Sequence, residues 1–250
     1  MMRLRALFLM MGFFLRTYME NWLYFLMLYL VPLTYLVVVF VMAQGSLEAL
    51  ATGLTGFVVM VGYQYLLQTS ASFISNMFEP QVFETYYLMP LSFPEILASF
   101  IAVTVFLISM PPVALCSLVL AWTVGIVDVP VYLAGIVLMY AFFVPLAVLL
   151  AVTVKRAMTL GSILSFSAFV LIIASPVFYR LLYVSEPYRA LLLLNPLTHI
   201  VVVLRSGSGL QEGFPAVSSI ALLTLMSSAL WVLLWYKLRG GVFTIIERRS

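Results

Sequence analysis

Apolar residues run along this chain in long blocks separated by short polar breaks, and the spacing of those breaks predicts the architecture. A helix crosses the hydrocarbon core of a bilayer with about 20 residues, because only its own hydrogen bonds satisfy the backbone there. Six stretches are long and apolar enough, at about 22–43, 49–75, 96–121, 130–153, 159–179 and 216–238. Ahead of them, residues 3–20 follow a helical period. Arg5, Gly12, Arg16 and Glu20 fall on one face, and Leu7, Phe8, Met11 and Leu15 on the other. That pattern predicts a helix lying in the cytoplasmic interface and leading into the first span. The residues after this apolar stretch, Arg16-Thr17-Tyr18-Met19-Glu20, offer no small-residue cleavage site, so the signal-peptide reading is rejected.

The spans are not uniformly apolar. Pro32, the Pro111-Pro112 pair and Pro145 lie within them, where each removes a backbone donor and can kink its helix. In the second span Gln64, Gln68, Ser72 and Ser75 share one face at helical period. Amides facing lipid are costly, so this stripe faces protein or water. Helix–helix contact and the lining of a pathway both meet that requirement. The fifth span opens with Thr159, Gly161, Ser162 and Ser165, small groups that permit close helix contact.

Two connecting segments carry further information. Between spans two and three, Gln81 to Met89 forms about two helical turns bounded by Pro80 and Pro90. It carries Phe83, Tyr86 and Tyr87 beside Glu84, with no Lys or Arg from Asn76 to Glu95. Aromatics next to a charge outside the membrane mark a protein contact. Anionic headgroups would repel the glutamates, which counts against a helix resting on lipid. Between spans five and six, Ser185 and Asn195 are N-caps followed by prolines in the first turn. They predict short helices at about 187–194 and 196–205, the second stopped by Gly207. At 1.5 Å per residue neither is long enough to span. Their apolar character predicts a re-entrant or interfacial hairpin on the outer side.

Composition agrees. The chain is 65% hydrophobic and 8% charged, against about 25% charged in soluble domains, and its mean hydropathy is +1.18. No long polar linker divides its 250 residues, so one membrane domain is expected. The net charge of +3 comes from scattered residues with no basic patch, which excludes nucleic acid as a partner. With the N-terminus inside, Arg3, Arg5, Arg16, Lys155, Arg156, Lys237, Arg239, Arg248 and Arg249 lie on the cytoplasmic side. Arg180, Arg189 and Arg205 lie outside, a ratio of nine to three. The positive-inside rule then places both termini in the cytoplasm. The single cysteine, Cys116, reads as a small buried hydrophobe.

The string Phe83-Glu84-Thr85…Met89-Pro90-Leu91-Ser92…Glu95-Ile96 resembles the cytoplasmic segment of type-2 ABC transporter permeases. Ser175-Pro176-Val177-Phe178-Tyr179 and Asn195-Pro196-Leu197-Thr198…Leu204-Arg205 resemble that family's outer motifs, and all three occur in the family's order. The resemblance implies an all-α integral membrane fold with six transmembrane helices, dimerising with a second permease. It implies a coupling helix at Phe83, Glu84, Thr85, Tyr86, Tyr87 and Pro90, seated on an ATP-binding cassette ATPase subunit that carries ATP and Mg. It further implies that spans two and five line the dimer interface or pathway, through Gln64, Gln68, Ser72, Ser75, Thr159 and Ser162. An outer hairpin with Ser175, Pro176, Asn195, Pro196 and Arg205 would close the exit.

The remaining motifs agree with a permease that relies on a separate ATPase. A P-loop ends in Lys-Ser or Lys-Thr after a Gly-rich turn, whereas Lys155 and Lys237 are followed by Arg156 and Leu238. No cofactor, metal or catalytic set is expected, and the lone His199 reads as a polar anchor. The transported molecule is expected to be amphipathic or lipid-like. An ion-gradient-driven transporter and a non-transporting scaffold stay open. Against the first, Glu20, Glu48, Glu95 and Asp128 all fall near span edges rather than mid-span.

Overall fold

The computed structural model describes residues 4–20, 22–78, 93–154 and 156–240. Helix α1 is Leu4–Glu20 and α2 is Trp22–Ala43. Helix α3, Leu47–Asn76, contains a π-helical stretch at Tyr63–Thr69. Helix α4 joins Phe93–Val103 to Met110–Thr123 through a second π stretch, Thr104–Ser109. Then come α5 (Val129–Val154), α6 (Ala157–Ile173), α7 (Glu186–Leu192), α8 (Pro196–Gly207) and α9 (Ala216–Gly240). No strand occurs among the described residues.

Four helices are long and apolar enough to cross a membrane: Leu47–Asn76, Pro94–Thr123, Val129–Val154 and Ala216–Arg239. The chain is therefore an all-α, multi-pass membrane protein. The shorter stretches Leu33–Ala43 in α2 and Met158–Ile173 in α6 are apolar as well. Helices α7 and α8 form a pair bent by 102°.

Helix α3 is the core of the bundle, with 83% of its most apolar window buried against 22% for α9. It packs against α2, the second half of α4, α5 and α8, while α5 also holds α8 and α9. Gly56 explains how close this packing is. A Cβ there would lie 1.9 Å from the Val177 carbonyl oxygen, so only glycine lets the 174–185 segment rest on α3. Gly207 does the same for α8, where a Cβ would meet the Tyr132 backbone nitrogen of α5 at 2.6 Å.

Both π stretches have local causes. In α3 the Thr69 hydroxyl donates to the Gln64 carbonyl at 3.0 Å and Ser70 to the Tyr65 carbonyl at 3.0 Å. Each reaches five residues back, and each bond supports the wider turn. In α4 the π stretch directly precedes Met110-Pro111-Pro112, whose prolines cannot donate to the preceding turn.

Helix α1 matches the expected amphipathic segment but turns differently from the predicted wheel. Met10 and Phe14 are buried and Phe8 is exposed. The Phe14 ring meets Phe100 of α4 edge-on at 5.3 Å, so a specific aromatic contact sets the rotation. The predicted fifth span, 159–179, closes earlier, at Ile173. Pro176 has no N–H for the Ile172 carbonyl, which accepts from the Ser175 hydroxyl instead, and the side chain of Asn195 bonds the Leu171 and Ala174 carbonyls.

Candidate functional site

The candidate site is the hairpin end of the bundle, formed by residues 174–215 with the first two turns of α3. Asn195 organises it. Its Nδ2 donates to the carbonyls of Leu171 and Ala174 at 3.0 and 2.9 Å, closing the end of α6. Its Oδ1 accepts from the Leu197 backbone N–H at 3.0 Å, capping α8. One side chain thus ends one helix and begins another. Pro196 occupies the first turn of α8. Ser175 is buried, with its hydroxyl donating to the Ile172 carbonyl at 3.2 Å. Ser185, at the predicted cap of α7, makes no side-chain cap bond.

Arg205, on the last turns of α8, is fully buried. Its Nε donates to Thr55 Oγ1 at 3.2 Å. One terminal nitrogen donates to the Tyr179 carbonyl at 2.8 Å and to Glu212 Oε1 at 3.2 Å. The other donates to the Thr52 and Val177 carbonyls at 3.2 and 2.9 Å. All five donors of the guanidinium are therefore used. They tie α8 to α3 and to the loop after α6.

Glu212 is equally buried. Its Oε1 also accepts from Arg180 Nε at 3.3 Å, and its Oε2 from the Leu181 N–H at 2.6 Å. Arg180 continues outward to Glu48 of α3 and the Gln211 carbonyl. The Tyr183 hydroxyl donates to Glu48 at 3.0 Å. Burial by itself would lower the Arg180 pKa. The hydrogen bonds and charges of Glu48 and Glu212 outweigh it, so the guanidinium is held above its ordinary value and stays charged.

His199 is buried in α8. Its Nε2 lies 2.8 Å from the Leu193 carbonyl, which can only accept, so Nε2 carries the proton. Its Nδ1 then accepts from the Ser219 hydroxyl at 3.1 Å. This histidine ties α8 to α9. Among the described residues no group of three or more His, Cys, Asp or Glu could hold a metal ion.

The other sequence-derived residues are dispersed. In α3, Gln64 is exposed, Gln68 and Ser72 are half-buried, and Ser75 is buried with its hydroxyl unpartnered. The π stretch between Tyr63 and Thr69 changes the angular step, so the four do not follow one uniform helical face. Thr159 and Ser162 are exposed on α6. Phe83, Glu84, Thr85, Tyr86, Tyr87 and Pro90 lie outside the described residues.

Sequence reasoning found Asn195 and Arg205 but missed Glu212, Arg180 and Glu48 as their partners. Glu48 lies 132 positions from Arg180 and Arg180 lies 32 from Glu212, and no periodic pattern links them. Comparison with protein-family models and with curated proteins gives no match to this chain.

Proposed function

We propose that this chain is the permease subunit of an ATP-driven ABC exporter. It would pair with a second permease and separate ATP-binding subunits to move an amphipathic or lipid-like molecule. The observation that carries the reading is the bent α7–α8 hairpin. It stands between two apolar helices and is held by Asn195 and Arg205, two residues of the motif that resembles the family's outer strings. In this reading α2 and α6 complete a six-span set with the four longer helices.

The exposed, small-residue start of α6, with Thr159 and Ser162, gives a second copy a surface to approach closely. Orientation has support as well. Arg156 precedes α6, Lys237 donates to Thr153 near the end of α5, and Arg239 lies over the Trp235 ring, all at helix ends farthest along the chain from the hairpin. Basic residues and interfacial aromatics together fit a cytoplasmic boundary there. The buried charges among the described residues, Arg205 and Glu212, pair with each other at the hairpin end, which speaks against a mid-membrane ion relay.

The test is a tagged pull-down in mild detergent, with mass spectrometry of copurifying chains and an ATPase assay. A stoichiometric P-loop protein is expected. Glu84→Lys should uncouple ATP hydrolysis from transport while the permease remains folded. A single-chain oligomer without ATPase activity, or unchanged transport in Glu84→Lys, would remove the coupling assignment.

A further inference from the structure

Beside the ion cluster, α2 and α3 enclose a groove of about 680 Å³ that opens between them at the hairpin end. That volume lies within the range of small-molecule sites, roughly 300–1,000 Å³. Its walls are apolar, with Tyr35, Val38 and Met42 from α2 and Phe57 from α3. Its mouth is polar, with Glu48, Arg180 and Tyr183. Val38 and Met42 are themselves exposed, so the groove continues onto the bundle's apolar outer surface.

The charge at the mouth is unevenly held. Arg205 and Glu212 have fully buried side chains and Arg180 keeps 11% of its side chain exposed, so these three carry a net charge of +1. Glu48 completes neutrality, and its side chain is 49% exposed. It is the one member of the cluster able to return to water at little cost. A cation drawn to Glu48 would leave the buried +1 without its counter-ion. An anion replacing Glu48 would keep the cluster neutral, and the first turn of α3, capped by Ser46, adds the favourable end of a helix dipole.

A further feature points to a ligand. Thr52 lies one helical turn beyond Glu48, lines the groove and is 6% exposed, yet its hydroxyl has no hydrogen-bond partner. Buried hydroxyls are normally satisfied.

We propose that this groove binds an anionic phospholipid, whose phosphate takes the place of Glu48 at Arg180 while an acyl chain lies between α2 and α3. The Thr52 hydroxyl donates to an ester oxygen one turn deeper. The site depends on the membrane character of the chain and not on the presence of an ATPase.

The test uses the full chain, purified alone and reconstituted in phosphatidylcholine vesicles containing acyl-chain spin-labelled phosphatidylglycerol or phosphatidylcholine. The motionally restricted fraction of the label reads relative association. Phosphatidylglycerol is expected to be retained over phosphatidylcholine. Glu48→Gln removes the competing carboxylate and should raise that preference about threefold, as for one partly exposed charge. This gain isolates the groove from the basic residues at the opposite end. Thr52→Val should lower retention, and Arg180→Gln should abolish the preference at this site.

Equal retention of the two lipids, or a preference unchanged or lowered in Glu48→Gln, overturns the proposal. So does efficient disulfide cross-linking of two copies through Val38→Cys, which would give the groove to a second chain. Because no ATP-binding subunit is present, a failed pull-down leaves this result standing, and a failed lipid assay leaves the pull-down standing.

Discussion

Arg205 and Glu212 are the most demanding residues of this chain, because each is a full charge removed from water. Attraction alone does not repay such burial, and it is tolerable only where hydrogen bonds satisfy the remaining donors and acceptors. Here they do, through four backbone carbonyls or amide groups and Thr55. Removing one partner is far more harmful than the pair is helpful. Glu212→Gln leaves the buried guanidinium of Arg205 without its anion and should cost about 3 kcal/mol, a drop of several degrees in thermal unfolding. Glu48→Gln, at the exposed edge of the cluster, should leave the melting temperature close to wild type. Equal melting of all three proteins in detergent would contradict the buried-pair account.

Among the elements, the α6–α7–α8 connection depends on a single side chain acting in two directions. Asn195 accepts a hydrogen bond at the start of α8 and donates two at the end of α6. Asn195→Asp separates these roles, since a carboxylate still caps α8 but donates nothing to Leu171 and Ala174. The variant should lose about 2 kcal/mol, from two buried carbonyls left unpaired, and should be cleaved faster by protease between 178 and 189. Wild-type resistance would mean that the loop is held by Arg205 and Gly56 packing alone. The π stretches act at the same scale: each alters the side-chain phase within a span while the span continues.

For the whole molecule, the prediction concerns orientation. A cysteine at Gln211, which is exposed in the hairpin end, should react with an impermeant maleimide in intact cells. One replacing Arg156, exposed at the opposite end, should react only after permeabilisation. The reverse pattern would invert the protein, and with it the positive-inside argument. Ser208, directly after α8, is buried and would not report.

The long apolar runs alone were enough to read a multi-pass helical membrane protein and to place its four longest helices within about two residues at each end. Both facts follow from local physics: a backbone in lipid must satisfy itself, so a long apolar run is a helix. The start of α8 was legible for a similar reason, since Asn195-Pro196 acts on its own neighbours, whereas the helix runs through Gly207, the expected stop, and the left-handed glycine after it is Gly209. Only the packed fold sets which side chain closes the end of α6, which face of α1 is buried and which charges pair. Asn195 stops a helix more than 20 residues earlier, Phe14 seeks Phe100, and Arg180 joins Glu48 across 132 positions. Such contacts leave no periodic trace, because their free energy depends on distance in space and not on spacing along the chain.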